Sequence, residues 1–333
     1  MGSPDTPQLN GRQKSRAPRN RTLTATKREL AELRLRLLAP DDIRGDNFIG
    51  RTILGDCFTV FPKLPPHTVD LLILDPPYNL TKRFGHKTFS RVPVDHYTDW
   101  LRQLFQSLKP LLKPTASIYI CGDWLSSASI FTAASEFFEV RNRITWEREK
   151  GRGAIANWKN SSEDVWFCTA SDQYTFNVDA VKIRRRVLAP YRDAVGVPKD
   201  WQETGAGNFR DTHPSNLWTD ITVPFWSMPE NTDHPTQKSE KFIAKLVLAS
   251  SDPGDLVFDP FLGSGTSSVV AKKLGRKFSG IELDEAYACL TEKRLILAET
   301  DPAIQGYQDR VFWERNTFSL MPSPKGMNVI SRW

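Results

Sequence analysis

The chain has 333 residues, 39% of them hydrophobic and 25% charged, with a net charge of +6. That length holds one large α/β core with an insertion, and no apolar run approaches the roughly 18 residues of a membrane span. The N-terminus lacks a secretion-signal pattern, and Cys57, Cys121, Cys168 and Cys289 show neither disulfide nor zinc spacing, so a cytoplasmic protein with reduced thiols and no metal site is expected.

Residues 1–40 carry nine Lys or Arg and three acidic residues, so the whole charge excess lies there and residues 41–333 sum to zero. A Pro/Gly/Asn-rich leader (2–22) precedes an expected helix from about Thr24 to Leu38, with Thr24 as N-cap and Leu30, Leu33 and Leu37 at helical spacing. Residues 1–48 read either as a basic arm gripping phosphates or as a solvated tail.

A short strand (52–54) leads to Gly55-Asp56-Cys57, and an apolar run (69–74) then empties into Asp75-Pro76-Pro77-Tyr78. Two prolines fix their own φ and remove two N–H donors, so this turn presents carbonyl oxygens in a preset direction. One reading is that the pair simply ends a strand, with Tyr78 packed beside it. Alternatively a carboxylate, a rigid carbonyl and a flat aromatic ring form a receptor for a planar group bearing –NH2. Two acceptors gripping its hydrogens favour a pyramidal nitrogen and release a lone pair that the ring otherwise delocalises.

Residues 79–95 are long enough for an active-site lid or a plain connector. Expected helices near 97–112 and 125–136 alternate with strands near 116–121, 142–147 and 164–168. The stretch Arg148 to Lys159, with Gly151-Arg152-Gly153, suits a loop at a phosphate backbone or an ordinary surface turn. Between about 180 and 232 the periodicity fades. Arg184, Arg185, Arg186 and Arg210 there suit contacts to phosphates and base edges, or, for 184–186, a solvated stretch near a domain edge, while Trp218 and Trp226 are expected in the core of a small subdomain.

Downstream, His234 to Lys238 precedes a helix near 239–250 and a strand near 256–259. Asp259, Phe261, Gly263, Ser264, Gly265 and Thr266 then form a glycine-rich turn into a helix near 266–274. Glycines permit positive φ and close backbone approach to a ligand, and the helix N-terminus favours negative charge. A strand near 277–281 ends at Glu282, roughly 20 positions after the turn, which suits ribose hydroxyls. A helix near 284–298 follows. A dinucleotide fold would show a third fingerprint glycine and leaves residues 75–78 unexplained.

Together these motifs resemble the S-adenosylmethionine-dependent DNA amino-methyltransferases of the beta class, in which the catalytic half precedes the cofactor half. The resemblance spans about residues 50–298. It implies a Rossmann-like α/β fold with a mostly parallel seven-stranded sheet, circularly permuted, with an inserted target-recognition region. The implied domains are a catalytic half (49–180), a target-recognition region (181–232), a cofactor half (233–300) and a C-terminal extension (301–333). It assigns catalysis to Asp75, Pro76, Pro77 and Tyr78. S-adenosylmethionine falls to Asp56, Asp75, Thr236, Lys238, Asp259, Phe261, Gly263, Ser264, Gly265, Thr266 and Glu282, and DNA to Arg152, Arg184, Arg185, Arg186 and Arg210. Ser239 departs from the more frequent Pro after Lys238. The expected substrate is duplex DNA with the target base flipped out, acted on by a monomer or homodimer, and the expected role is protection from a cognate restriction endonuclease. Asp at position 75 points to adenine N6; cytosine N4, or an RNA or protein amide methyltransferase, are the alternatives, as is a non-catalytic DNA-binding module.

Overall fold

The computed structural model describes residues 17–84, 87–148, 156–187, 191–204 and 207–314. Its central sheet is built from β1 (Thr52–Leu54), β2 (Val69–Leu74), β5 (Leu112–Gly122), β6 (Glu139–Glu147), β7 (Ser162–Thr169), β11 (Leu217–Trp218), β12 (Leu256–Asp259) and β13 (Lys277–Glu282). Their order is β1-β13-β12-β2-β5-β7-β6-β11. All seven expected strands lie in it. The eighth, β11, comes from the segment expected to be outside the sheet, so the sheet has eight strands and not seven.

The pairs β1–β13, β13–β12, β12–β2 and β2–β5 are all parallel. Their C-terminal ends therefore share one rim. The hairpin β6–β7 has β7 antiparallel to β5, which brings the N-terminal end of β7 and the C-terminal end of β6 to that same rim. Strands from the end of the chain thus sit between β1 and β2.

Strand residues alternate between two faces. Leu72, Leu74, Ile118 and Ile120 pack with Leu101, Leu104 and Phe105 of α3 (Val94–Leu108) and with Ile130 and Ala133 of α4 (Trp124–Phe137). Leu71, Ile73, Tyr119 and Cys121 face α5 (Glu240–Ser250) and α6 (Thr266–Lys273). The result is a three-layer α/β/α unit. The four cysteines are free thiols in buried positions. No helix among the described residues is long and apolar enough to cross a membrane.

A second sheet, ordered β14-β15-β8-β10-β9, gathers β8 (Ile183–Arg186), β9 (Gln202–Thr204) and β10 (Gly207–Thr212) with β14 (Tyr307–Gln308) and β15 (Val311–Trp313). It joins residues expected in the target-recognition region to the C-terminal extension. Lys241 of α5 anchors it by donating to the carbonyl of Trp313 at 2.5 Å. Trp218 is buried against Phe242 in the main core, whereas Trp226, expected in a small core, is about half exposed.

Near the N-terminus, α1 (Lys27–Arg34) is shorter than expected. Its N-cap is Thr26, not Thr24, because Thr26 and Glu29 complete a reciprocal capping box. The helix packs on α7 (Glu285–Thr300), where Glu29 pairs with Lys293 and Arg34 with Glu285; Arg36, just beyond α1, pairs with Glu292. Part of the local basic excess is thus matched by α7 acids. The remaining elements are the one-turn α2 (Cys57–Val60) and a hairpin of β3 (Lys82–Phe84) and β4 (Lys87–Phe89).

Candidate active site

The sheet rim places the two sequence motifs side by side. Asp75 follows β2, while Asp259 and Glu282 end the neighbouring strands β12 and β13. A cavity of about 450 Å³ opens there, lined on one side by Asp75 to Tyr78 and on the other by Phe261, Gly263 and Glu282. Asp56, Thr236 and Lys238 also line it. Asp259, Ser264 and Thr266 border a smaller recess that shares Asp75 and Lys238 with it.

The Asp75–Tyr78 loop is held from several directions. Tyr97 donates to the Pro77 carbonyl at 3.0 Å, while among the described residues the Pro76 carbonyl takes no hydrogen bond. Asn79 exchanges two 2.9 Å bonds with the backbone of Val92, which clasps the base of the β3–β4 hairpin. Tyr78 Oη donates to Asp75 Oδ1 at 3.0 Å, and Lys238 Nζ donates to Asp75 Oδ2 at 2.6 Å. Burial, with the Asp75 and Glu163 charges nearby, pushes the Tyr78 hydroxyl well above its ordinary pKa, so it stays a donor.

The glycine turn is shaped by its own carboxylates. Asp259 accepts from Phe261 N at 2.9 Å and from Ser267 Oγ at 2.6 Å. Glu282 accepts from Gly263 N at 2.7 Å and from Asp284 N at 2.8 Å. Burial nevertheless pushes both carboxyls up to about 7. Gly265 caps α6 with φ +82°, and a Cβ at that position would fall 2.4 Å from Thr291 Cγ2. Gly263 is also left-handed, and a Cβ on it would lie 3.1 Å from the His234 ring. A turn this close to its neighbours offers bare backbone to the cavity, and the cavity has room, acceptors and an aromatic wall for a nucleoside-bearing cofactor. That wall is Phe58, Trp100 and Phe261, with ring centroids 6.2–6.4 Å apart.

A family model described as DNA methylase, of the N6/N4 methyltransferases, matches residues 69–293. The chain belongs to this family. It is 33% identical over 256 residues to the DNA adenine methyltransferase YhdJ of Escherichia coli (strain K12), covering 74% of this chain and 83% of that protein. Among solved structures, the cytosine-N4-specific PvuII DNA methyltransferase matches with TM-score 0.53 at 16% identity, covering 76% of this chain and 92% of its own. The M1.HpyAVI–SAM complex matches with TM-score 0.51 at 22% identity, covering 73% and 98%. These two likenesses establish a shared fold.

Around the DNA methylase cavity, several residues escaped sequence reasoning. Glu163 on β7 is buried with its carboxylate 3.5 Å from Lys238 Nζ, and Arg148 pairs with its other oxygen. Thr291 and Arg294 of α7 latch the glycine turn from behind: Thr291 donates to the Gly263 carbonyl at 3.2 Å, and Arg294 to that of Ser264 at 2.8 Å. No local motif marks them, since each acts only through tertiary contact. Ser239, the departure from the family pattern, is the N-cap of α5 and accepts from Phe242 N at 3.3 Å.

Of the arginines assigned to DNA, Arg184, Arg185, Arg186 and Arg210 do not line this cavity. Arg184 forms two 2.7 Å bonds to Asp211 and lies over the Trp313 ring. Arg210 pairs with Asp200 at 2.7 Å and Arg185 sits 3.8 Å from Glu314, whereas Arg186 is exposed. Arg152 lies outside the described residues. At the same rim, Trp158 in the β6–β7 connection is 95% exposed.

Proposed function

We propose that this methylase transfers a methyl group from S-adenosylmethionine to the N6 amino group of adenine in a short duplex DNA sequence. The observation that carries the reading is the meeting of Asp75 and the Gly263–Thr266 turn at one rim, around the cavity and the recess beside it. Asp75 is the catalytic acceptor for one amino hydrogen, and the Pro76 carbonyl, fixed by two successive prolines, takes the other. Tyr78 stacks against the flipped base, worth about 1–3 kcal/mol; Pro77 holds the turn rigid. Bound S-adenosylmethionine supplies the electrophilic methyl: a C–N bond forms as the C–S bond breaks, and the surplus amino proton leaves to water.

The chain's own residues would hold that cofactor in a consistent order. Glu282 would take ribose hydroxyls and Asp56 the adenine edge, with Phe261 and Gly263 also lining the space for it. Thr236 and Lys238 flank the methionine end, while Asp259, Ser264, Gly265 and Thr266 keep the turn open. Adenine is supported by Asp at position 75 and by the adenine methyltransferase relative. We also assign residues 49–180 and 233–300 to the methyltransferase unit and 181–232 to target recognition, with Arg185, Arg186, Arg210 and Arg152 as its DNA contacts and Arg184 bracing the small sheet through Asp211. Shielding of DNA from a nuclease that reads the same site is the role implied by the family resemblance. The test is transfer from labelled cofactor to duplex DNA followed by digestion to nucleosides. Labelled N6-methyladenine is expected; labelled N4-methylcytosine overturns the adenine assignment, and label on RNA or protein but not DNA overturns the substrate.

A further inference from the structure

The site contains a competition that the transfer reaction must resolve. If Asp75 grips the target amino group, as the proposed function holds, its present partners have to yield. Both of its oxygens already accept from this chain: Oδ1 from Tyr78 Oη at 3.0 Å and Oδ2 from Lys238 Nζ at 2.6 Å. An ammonium at that distance outcompetes a neutral exocyclic amine for a carboxylate. Lys238 cannot simply withdraw, because its side chain is only 8% exposed and a buried charge without a partner is strongly disfavoured.

Glu163 supplies the alternative. Its side chain is 5% exposed, and its Oε2 lies 3.5 Å from Lys238 Nζ and 3.3 Å from Tyr78 Oη. Arg148 holds the other oxygen, which fixes the direction of the first. The two donors on Asp75 are thus the two groups that Oε2 faces, at distances slightly too long for strong bonds. We propose that Glu163 is a positioning residue that takes over the Lys238 ammonium and the Tyr78 hydroxyl from Asp75 as the target amino group docks. Before the exchange the cluster is closed on itself; after it, Asp75 is free on its cavity side and Tyr78 is free to stack. Asp75, Glu163, Lys238 and Arg148 sum to zero formal charge in both arrangements, so hydrogen bonds move while buried charge does not. Lys238 thereby acts as a placeholder for the substrate nitrogen, and Glu163 as its release.

The test is single-turnover methyl transfer to duplex DNA at saturating cofactor, alongside separate measurement of cofactor and DNA affinity. Glu163→Ala leaves both donors on Asp75, so transfer should slow by about 10- to 100-fold while both affinities stay within about threefold. Glu163→Gln keeps the shape and an acceptor but not the charge, and should fall between wild type and Ala. In a Lys238→Met background only the Tyr78 hydroxyl is left to displace, so adding Glu163→Ala should cost several-fold less than it does in the wild type. A Glu163→Ala enzyme with wild-type single-turnover rate overturns the inference. So does one whose cofactor and DNA affinities fall with its rate, or an undiminished cost in the Lys238→Met background. None of these bears on the proposed function, which fails instead if the wild-type enzyme does not methylate a DNA amino group.

Discussion

Replacing Gly265 by alanine probes the cofactor side of the site through a single methyl group. Gly265 sits at φ +82°, ψ +20°, where an L-residue incurs about 1–2 kcal/mol of backbone strain. The added Cβ would lie 2.4 Å from Thr291 Cγ2 and 2.6 Å from its Oγ1, and Thr291 is fully buried with its hydroxyl bonded to the Gly263 and Tyr287 carbonyls. Relief requires displacing α7 or the turn, which is overpacking of about 1–3 kcal/mol. Denaturant unfolding of Gly265→Ala should therefore show a loss of about 2–5 kcal/mol. Cofactor affinity by calorimetry should fall with it, since the turn borders the cavity. Thr291→Ala removes the two nearest atoms and leaves its Cβ at 2.8 Å, so the double variant should regain part of the packing share and retain the backbone share. Unchanged stability in Gly265→Ala, or strictly additive losses in the double variant, would refute the described contact.

Further outcomes are expected for pH, for one helix cap and for two arginines. Asp259 and Glu282, raised to about 7 by burial, are protonated below that pH, so cofactor affinity should decline on acidification by up to about tenfold per pH unit per proton displaced. Folding stability moves the opposite way: the contribution of these two groups is fully present below about pH 4 and is lost as pH rises through about 7, which urea titrations across that window would register. Ser239→Ala removes the N-cap bond of α5 and should cost about 1 kcal/mol in denaturant unfolding. Arg186→Ala should weaken DNA binding uniformly across sequences and lower the salt slope by about one, whereas Arg184→Ala should chiefly destabilise the small sheet by breaking its Asp211 pair. Filter binding over a salt series separates the two.

The central sheet was readable where its strands are apolar runs, as in Leu71–Leu74 and Leu256–Phe258, and Asp75, Asp259 and Glu282 each stand at the end of an expected strand. The glycine turn was readable because positions 263 and 265 adopt positive φ. What escaped depends on distant pairing. Strand β11 is two residues long and adds to β6 through Leu217 and Trp218, too short to show a period. The second sheet joins residues 183–212 to 307–313, and short polar strands such as Gln202–Thr204 give no sign of their partners. Thr26 was recognisable as the N-cap from Glu29 three residues later, a signal that outranks Thr24. Glu163 lies in a strand whose alternation speaks only of burial; its role emerges once β7 is laid antiparallel beside β5.

The proposed transfer depends on Asp75 acting on an amino group delivered across from the glycine turn. Single-turnover transfer by Asp75→Ala at saturating cofactor measures this most directly, with DNA binding determined on the same protein. DNA binding near the wild-type level with transfer reduced by at least about 10²–10³-fold is the predicted result; transfer at a near-wild-type rate would contradict it.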